Sequence, residues 1–126
     1  MEKVAGIILL VENIEASVSF YKHLGFEVVK EVPAVATTVG LNGFWVELLN
    51  KQEVVSEEYK EDLKVAKHGA GTYLQIQVRD IDAFYSTLAS KGIVTAVKPK
   101  NYPWGHREFV VTDPGGYKIA FFTPID

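Results

Sequence analysis

One short phrase occurs twice in this chain, and its spacing limits the architecture more than any other feature. Val11-Glu12-Asn13-Ile14-Glu15-Ala16 returns as Val78-Arg79-Asp80-Ile81-Asp82-Ala83, an offset of 67 residues, and Gly25-Phe26 returns at the same offset as Gly92-Ile93. Each copy reads as a strand, a polar cap, a short helix, a glycine stop and a further strand. Asn13 and Asp80 suit the cap, since a side-chain oxygen accepts the free amide protons of a first helical turn. Ile14, Val18, Tyr21 and Leu24 recur at helical spacing, as do Ile81, Phe84, Tyr85 and Leu88. Gly25 and Gly92 stand where a helix closes in a left-handed residue. The pattern predicts helices over 14–24 and 81–91.

A second correspondence, at an offset of 73, aligns Gly43-Phe44-Trp45-Val46-Glu47-Leu48-Leu49 with Gly116-Tyr117-Lys118-Ile119-Ala120-Phe121-Phe122. Both read as strands entered through a glycine turn, and Asp113-Pro114-Gly115-Gly116 is strong turn chemistry. Strands near 26–31, 34–41, 93–98 and 106–112 complete the pattern. The fold class is therefore α+β: two βαβββ modules forming a curved mixed sheet with an open cup. The expected organisation is one domain, with module one over 1–50, an insertion over 51–70 and module two over 71–126. In the insertion, Ser56 is placed to cap a helix from Glu57 to Lys67 that ends at Gly69. A surface helix or mobile connector is the preferred reading over a pocket lid, and the mixed charge of the segment does not separate the two.

Composition narrows the function. Thirteen Lys+Arg against sixteen Asp+Glu leave a net charge of −3. No nucleic-acid partner is expected, because phosphate recognition needs an excess of positive charge. With no cysteine, disulfides, thiolate metal sites and a cysteine nucleophile are excluded. The apolar run Ile7–Val11 is far too short to span a bilayer, and Met1-Glu2-Lys3 leads straight into a strand-like run. The expectation is a cytoplasmic protein with no membrane partner.

Strand alternation assigns the side chains to faces. Leu74, Ile76 and Val78 belong under the helices, which turns Tyr73, Gln75 and Gln77 into the cup. Val46 and Leu48 likewise leave Trp45, Glu47 and Leu49 in the cup, and Ile119 and Phe121 leave Lys118, Ala120 and Phe122 there. In the first strand, Ile7, Leu9 and Val11 go under the helix, with Gly6, Ile8 and Leu10 toward the cup. Arg107 and Glu108 are neighbours on one strand and point to opposite faces, so at least one of them is expected in a structural salt bridge across strands or a dimer contact.

The stretches "VENIEASVSFYKHLGFEV" and "REFVVTDPGGYKIAFF" resemble the first strand-helix-strand unit and the closing hairpin of the vicinal oxygen chelate superfamily. That superfamily contains glyoxalase I, extradiol dioxygenases, fosfomycin-resistance enzymes and bleomycin-resistance proteins. The resemblance implies a divalent-metal site with one inward ligand on each of four strands. The matching positions here are Gly6, Glu47, Tyr73 and Ala120, and only Glu47 is a plausible ligand. Neither a metal nor any other cofactor is therefore expected. His23 and His68 are expected near helix C-termini, and His106 lies near the cup but on no ligand position.

The stretch "YPWGHREFVVTDPGG" is similar to the bleomycin-resistance branch, whose members sequester a drug without metal or chemistry. The resemblance makes Trp104 a stacking residue for the flat part of a ligand. The implied function is small-molecule sequestration or sensing by a homodimer, in a cup lined by Trp45, Glu47, Tyr73, Gln75, Gln77, Trp104 and Phe122. Because the chain is only mildly acidic and Lys118 shares a face with Glu47, a small ligand, partly aromatic or apolar, fits better than cationic bleomycin. The alternative is an enzyme, with either a displaced metal or metal-independent acid-base chemistry at Glu47.

Overall fold

Two helices, one in each half of the chain, are built alike at both ends. The computed structural model describes residues 1–93 and 97–125. Its helices are α1 (Ile14–His23), α2 (Lys60–Leu63) and α3 (Ile81–Ser90). Asn13 Oδ1 accepts the amide of Ala16 at 3.0 Å, and Asp80 Oδ1 accepts that of Ala83 at 3.1 Å. At the other ends Gly25 and Gly92 take φ of 104° and 80°. The amide of Phe26 reaches Tyr21 O and that of Gly25 reaches Lys22 O, both at 3.0 Å. The amides of Ile93 and Gly92 reach Leu88 O and Ala89 O, both at 3.1 Å. These are paired Schellman ends, which a residue free to adopt positive φ closes without strain. Leu24 and Lys91 are the C-caps, so each helix stops one residue short of the expected 24 and 91.

The chain divides into two compact units, Met1–His68 and Gly69–Asp126, with the division inside the expected insertion. The first holds β1 (Gly6–Val11), β2 (Glu27–Val32), β3 (Ala36–Leu41) and β4 (Phe44–Asn50) in the order β1-β4-β3-β2. β1 runs parallel to β4, and the other pairings are antiparallel. Asn42 and Gly43, with φ of 48° and 83°, form the two-residue turn between β3 and β4. Positive φ at both positions matches the right-handed twist of the strands. Leu9, Val11, Val39, Val46 and Leu48 are buried, as is Tyr21 of α1, whose ring meets Phe26 edge-on at 5.3 Å.

The second unit holds β5 (Tyr73–Gln77), β6 (Lys100–Tyr102), β7 (His106–Thr112) and β8 (Lys118–Pro124) in the order β5-β8-β7-β6. Phe84 of α3 lies 4.8 Å from Phe121, and Tyr85 of α3 meets Phe109 edge-on at 5.2 Å. The repeat survives in the register. Gly6 pairs with Trp45, and at the two offsets Tyr73 pairs with Lys118.

The expected α+β class of two βαβββ modules holds, and each module forms its own four-stranded mixed sheet, with β1 paired to β4 and β5 to β8. Two expectations need correction. The strand expected over 93–98 falls partly on 94–96, outside the described residues. The described strand in that place is Lys100–Tyr102, which starts after Pro99, a residue with no amide proton for the ladder. The helix expected over 57–67 is a 3-10 turn at Glu57–Tyr59 followed by the single α turn of α2. Ser56 takes the N-cap place there but makes no capping bond with its side chain. A helix this short has little propagation to offset its nucleation cost.

Candidate functional site

Paired strand residues share a face, so the registers lay out each surface directly. In unit two, Phe109 and Phe121 pack on α3, and the opposite face carries three rows besides the end row Tyr102, His106 and Pro124. The first is Gln77, Phe122, Glu108 and Lys100; the second is Gln75, Ala120 and Val110; the third is Tyr73, Lys118 and Thr112. The alternation expected for β5 and β8 holds. Tyr73, Gln75 and Gln77 are exposed, while Ile119 and Phe121 are fully buried. The ammonium of Lys118 lies over the Tyr73 ring, 5.3 Å from its centre.

Beside these rows stands an ordered aromatic cluster. Trp104, in the turn between β6 and β7, is 59% exposed and stacks on Tyr102 at 4.6 Å and 19°. The Lys100 ammonium sits 5.1 Å from the Tyr102 ring centre. The indole N–H of Trp104 donates to Glu108 Oε1 at 3.0 Å. His106 stacks on Phe122 at 4.0 Å and 16°, with Nδ1 3.6 Å from the same oxygen of Glu108. One oxygen of Glu108, a residue only 7% exposed, thus accepts from the indole and stands near the imidazole. The cluster offers a rigid stacking surface whose N–H is already occupied.

Glu108, His106 and Tyr102 were not among the expected site residues. Alternation in Arg107-Glu108-Phe109-Val110-Val111 is ambiguous, because apolar residues occupy both faces. The structure separates Arg107 from Glu108, as alternation requires. Arg107 turns to the α3 side, where it grips both carboxylate oxygens of Asp82 at 3.0 and 3.1 Å and reaches Asn101 Oδ1 at 3.1 Å. Its bridge is to helix α3 rather than across strands. The Arg107 guanidinium holds the Asp82 carboxyl below its usual range, and Asp82 raises Arg107 in turn.

In unit one the face away from α1 carries Gly6, Trp45, Gly40 and Glu27 in one row. The next holds Ile8, Glu47, Thr38 and Lys30, and the last holds Leu10, Leu49, Ala36 and Val32. Trp45 lies against Gly40, where an added β-carbon would meet its Cδ1 at 3.2 Å. Leu10 keeps the expected parity but is buried, as is Ala36 beside it in that row. His23 Nδ1 donates to Ser19 O at 2.7 Å, near the end of α1. His68 follows no helix directly and instead meets Lys51 Nζ at 3.3 Å.

The four positions matched to metal ligands do not make a donor set of that kind. Gly6 has no side chain, and a β-carbon there would stand 1.8 Å from the carbonyl oxygen of Trp45. Ala120 offers no donor, and Tyr73 presents a phenol 51% exposed beneath Lys118. Among the described residues, no group of three or more His, Asp or Glu side chains gathers at metal-binding distances. Glu47 alone cannot hold a catalytic divalent ion.

The chain belongs to the glyoxalase/bleomycin resistance protein/dioxygenase superfamily, whose family model matches residues 3–121. Its fold is that of a glyoxalase/bleomycin resistance protein/dioxygenase from Nocardioides, with 23% identity and a TM-score of 0.81 over 100% of this chain and 85% of the other. An antibiotic binding protein from Streptomyces sp. CB03234 is 23% identical, with a TM-score of 0.73 over 98% of this chain and 97% of the other. A lactoylglutathione lyase from Agrobacterium tumefaciens is 17% identical, also with a TM-score of 0.73, over 98% and 94% of the two chains. No curated protein matches the sequence significantly. Among the described residues no helix is long and apolar enough to cross a membrane.

Proposed function

We propose that this protein binds a small, partly aromatic molecule without a metal, for sequestration or sensing, and works as a homodimer. The observation that carries the reading is the donor set Gly6, Glu47, Tyr73 and Ala120, in which one carboxylate stands where the family's enzymes place four metal ligands. The Trp104 cluster supplies what a binding protein needs instead: a large flat surface held in place at little entropy cost. Gln75, Gln77, Tyr73 and Phe122 share the strand face next to it, and Trp45 and Glu47 offer an indole and a carboxylate on the open face of unit one. The antibiotic binding protein of the same fold supports this reading by analogy.

The lyase neighbour favours an enzymatic alternative, and one experiment separates the two. Thermal unfolding is followed with a panel of planar aromatic compounds, each with and without Zn²⁺, Mn²⁺ and Ni²⁺. Binding raises the melting temperature by mass action. The expected result is stabilisation by aromatic compounds that is indifferent to metal. Stoichiometric metal in the purified protein, lost on Glu47→Ala, would overturn the proposal.

A further inference from the structure

The aromatic face of unit two constrains one imidazole from two sides. His106 lies flat on Phe122, which fixes the plane of its ring. Its Nδ1 is buried, makes no hydrogen bond and stands 3.6 Å from Glu108 Oε1. A lone pair directed at a carboxylate is repelled, whereas an N–H there is attracted. Glu108 therefore selects the form of His106 that carries its proton on Nδ1. In a neutral imidazole the lone pair then resides on Nε2. With Nδ1 buried, the 24% exposure of the side chain belongs to its other atoms. The other charged and titratable groups nearby are Tyr102, its register partner on β6, and Lys100, which lies over Tyr102. On β8 its register partner is Pro124.

We infer that His106 is a ligand-binding residue, with Nε2 as a hydrogen-bond acceptor and Glu108 as the positioning residue that imposes that state. Trp104 and His106 approach the same carboxylate oxygen, and Tyr102 covers one face of the indole, which leaves the other face for a ligand ring. The ligand class follows: a planar aromatic molecule of one or two fused rings with an O–H or N–H donor at its edge. This rests on the binding function proposed above and names the chemistry it selects.

The test uses the full chain labelled with ¹⁵N-histidine, at a pH where imidazole is neutral, with the His106 signals identified by their loss in His106→Gln. The wild type shows a protonated Nδ1. Glu108→Leu moves the proton to Nε2, while Glu108→Gln, which keeps an accepting oxygen and the same shape, retains it on Nδ1. The probes are 2-naphthol and 2-methoxynaphthalene, which differ in the donor alone. The naphthol binds at least about tenfold tighter and shifts the Nε2 resonance, and its advantage disappears in His106→Phe. A proton on Nε2 in the wild type, or a naphthol preference that survives in His106→Phe, overturns the role of His106 and leaves the binding reading standing. Failure of both probes to bind overturns that reading together with the ligand class.

Discussion

Gly6 faces the backbone of Trp45 so closely that a β-carbon on it would stand 1.8 Å from the Trp45 carbonyl oxygen. The two residues are register partners on parallel strands, and the contact involves backbone that cannot swing aside. Gly6→Ala is expected to destabilise the protein by about 1–3 kcal/mol, the usual cost of overpacking. Gly6→His carries the same strain and builds no metal site. Denaturant unfolding and metal analysis of the two variants check this. A Gly6→His protein as stable as wild type and holding Zn²⁺ would refute it.

Trp104 and Glu108 depend on each other. Trp104→Phe keeps a flat ring but leaves a nearly buried carboxylate oxygen without its donor, at an expected cost of about 1–3 kcal/mol. In a Glu108→Leu background the same change costs little, because no carboxylate remains to be stranded. The double-mutant cycle measures the coupling, and additive effects would show that the bond contributes nothing.

The bridge between Asp82 and Arg107 makes a pH prediction. The Asp82 carboxyl is lowered from 3.8 in the folded protein. A lowered carboxylate contributes stability that is present above its unfolded value and is lost as pH falls through the folded one. Asp82→Asn therefore lowers the melting temperature slightly at neutral pH, since the pair is exposed to solvent. Below the Asp82 range the wild-type and variant curves meet. Arg107, raised further by the bond to Asp82, stays charged throughout this window. A difference that persists unchanged in strong acid would assign the effect to packing.

Every residue of β2 is exposed, and Val28, Val29 and Val32 present an apolar edge paired on one side only. Such an edge tends to pair with another chain. Sedimentation at micromolar concentration should find a dimer, and Val29→Lys should shift it toward monomer. A wild-type monomer at that concentration would count against the homodimer.

Much of this protein is legible in its sequence because the determining interactions are local. Asn13 and Asp80 cap helices whose ends are closed by Gly25 and Gly92, and each bond spans five residues or fewer. The period-two pattern of Tyr73-Leu74-Gln75-Ile76-Gln77 assigns its faces for the same reason: a strand alternates whatever its partners are. The 57–67 segment misled because capping and spacing describe a helix that has too little apolar surface to hold it.

What only the tertiary structure decided is which distant groups meet. Nothing in the order Trp104, His106, Glu108 says that one oxygen accepts from the indole and stands near the imidazole, or that His106 rests on Phe122 of the neighbouring strand. The sequence by itself determined the repeat, the caps, the turns and the strand parity, because backbone geometry enforces these over a few residues. Register and packing determined that Arg107 went to α3 while Glu108 turned to the aromatic cluster, and that Gly6 closed on Trp45. Those contacts depend on how strands far apart in the chain align, and a one-residue slip in that alignment would have moved each of these side chains to the opposite face.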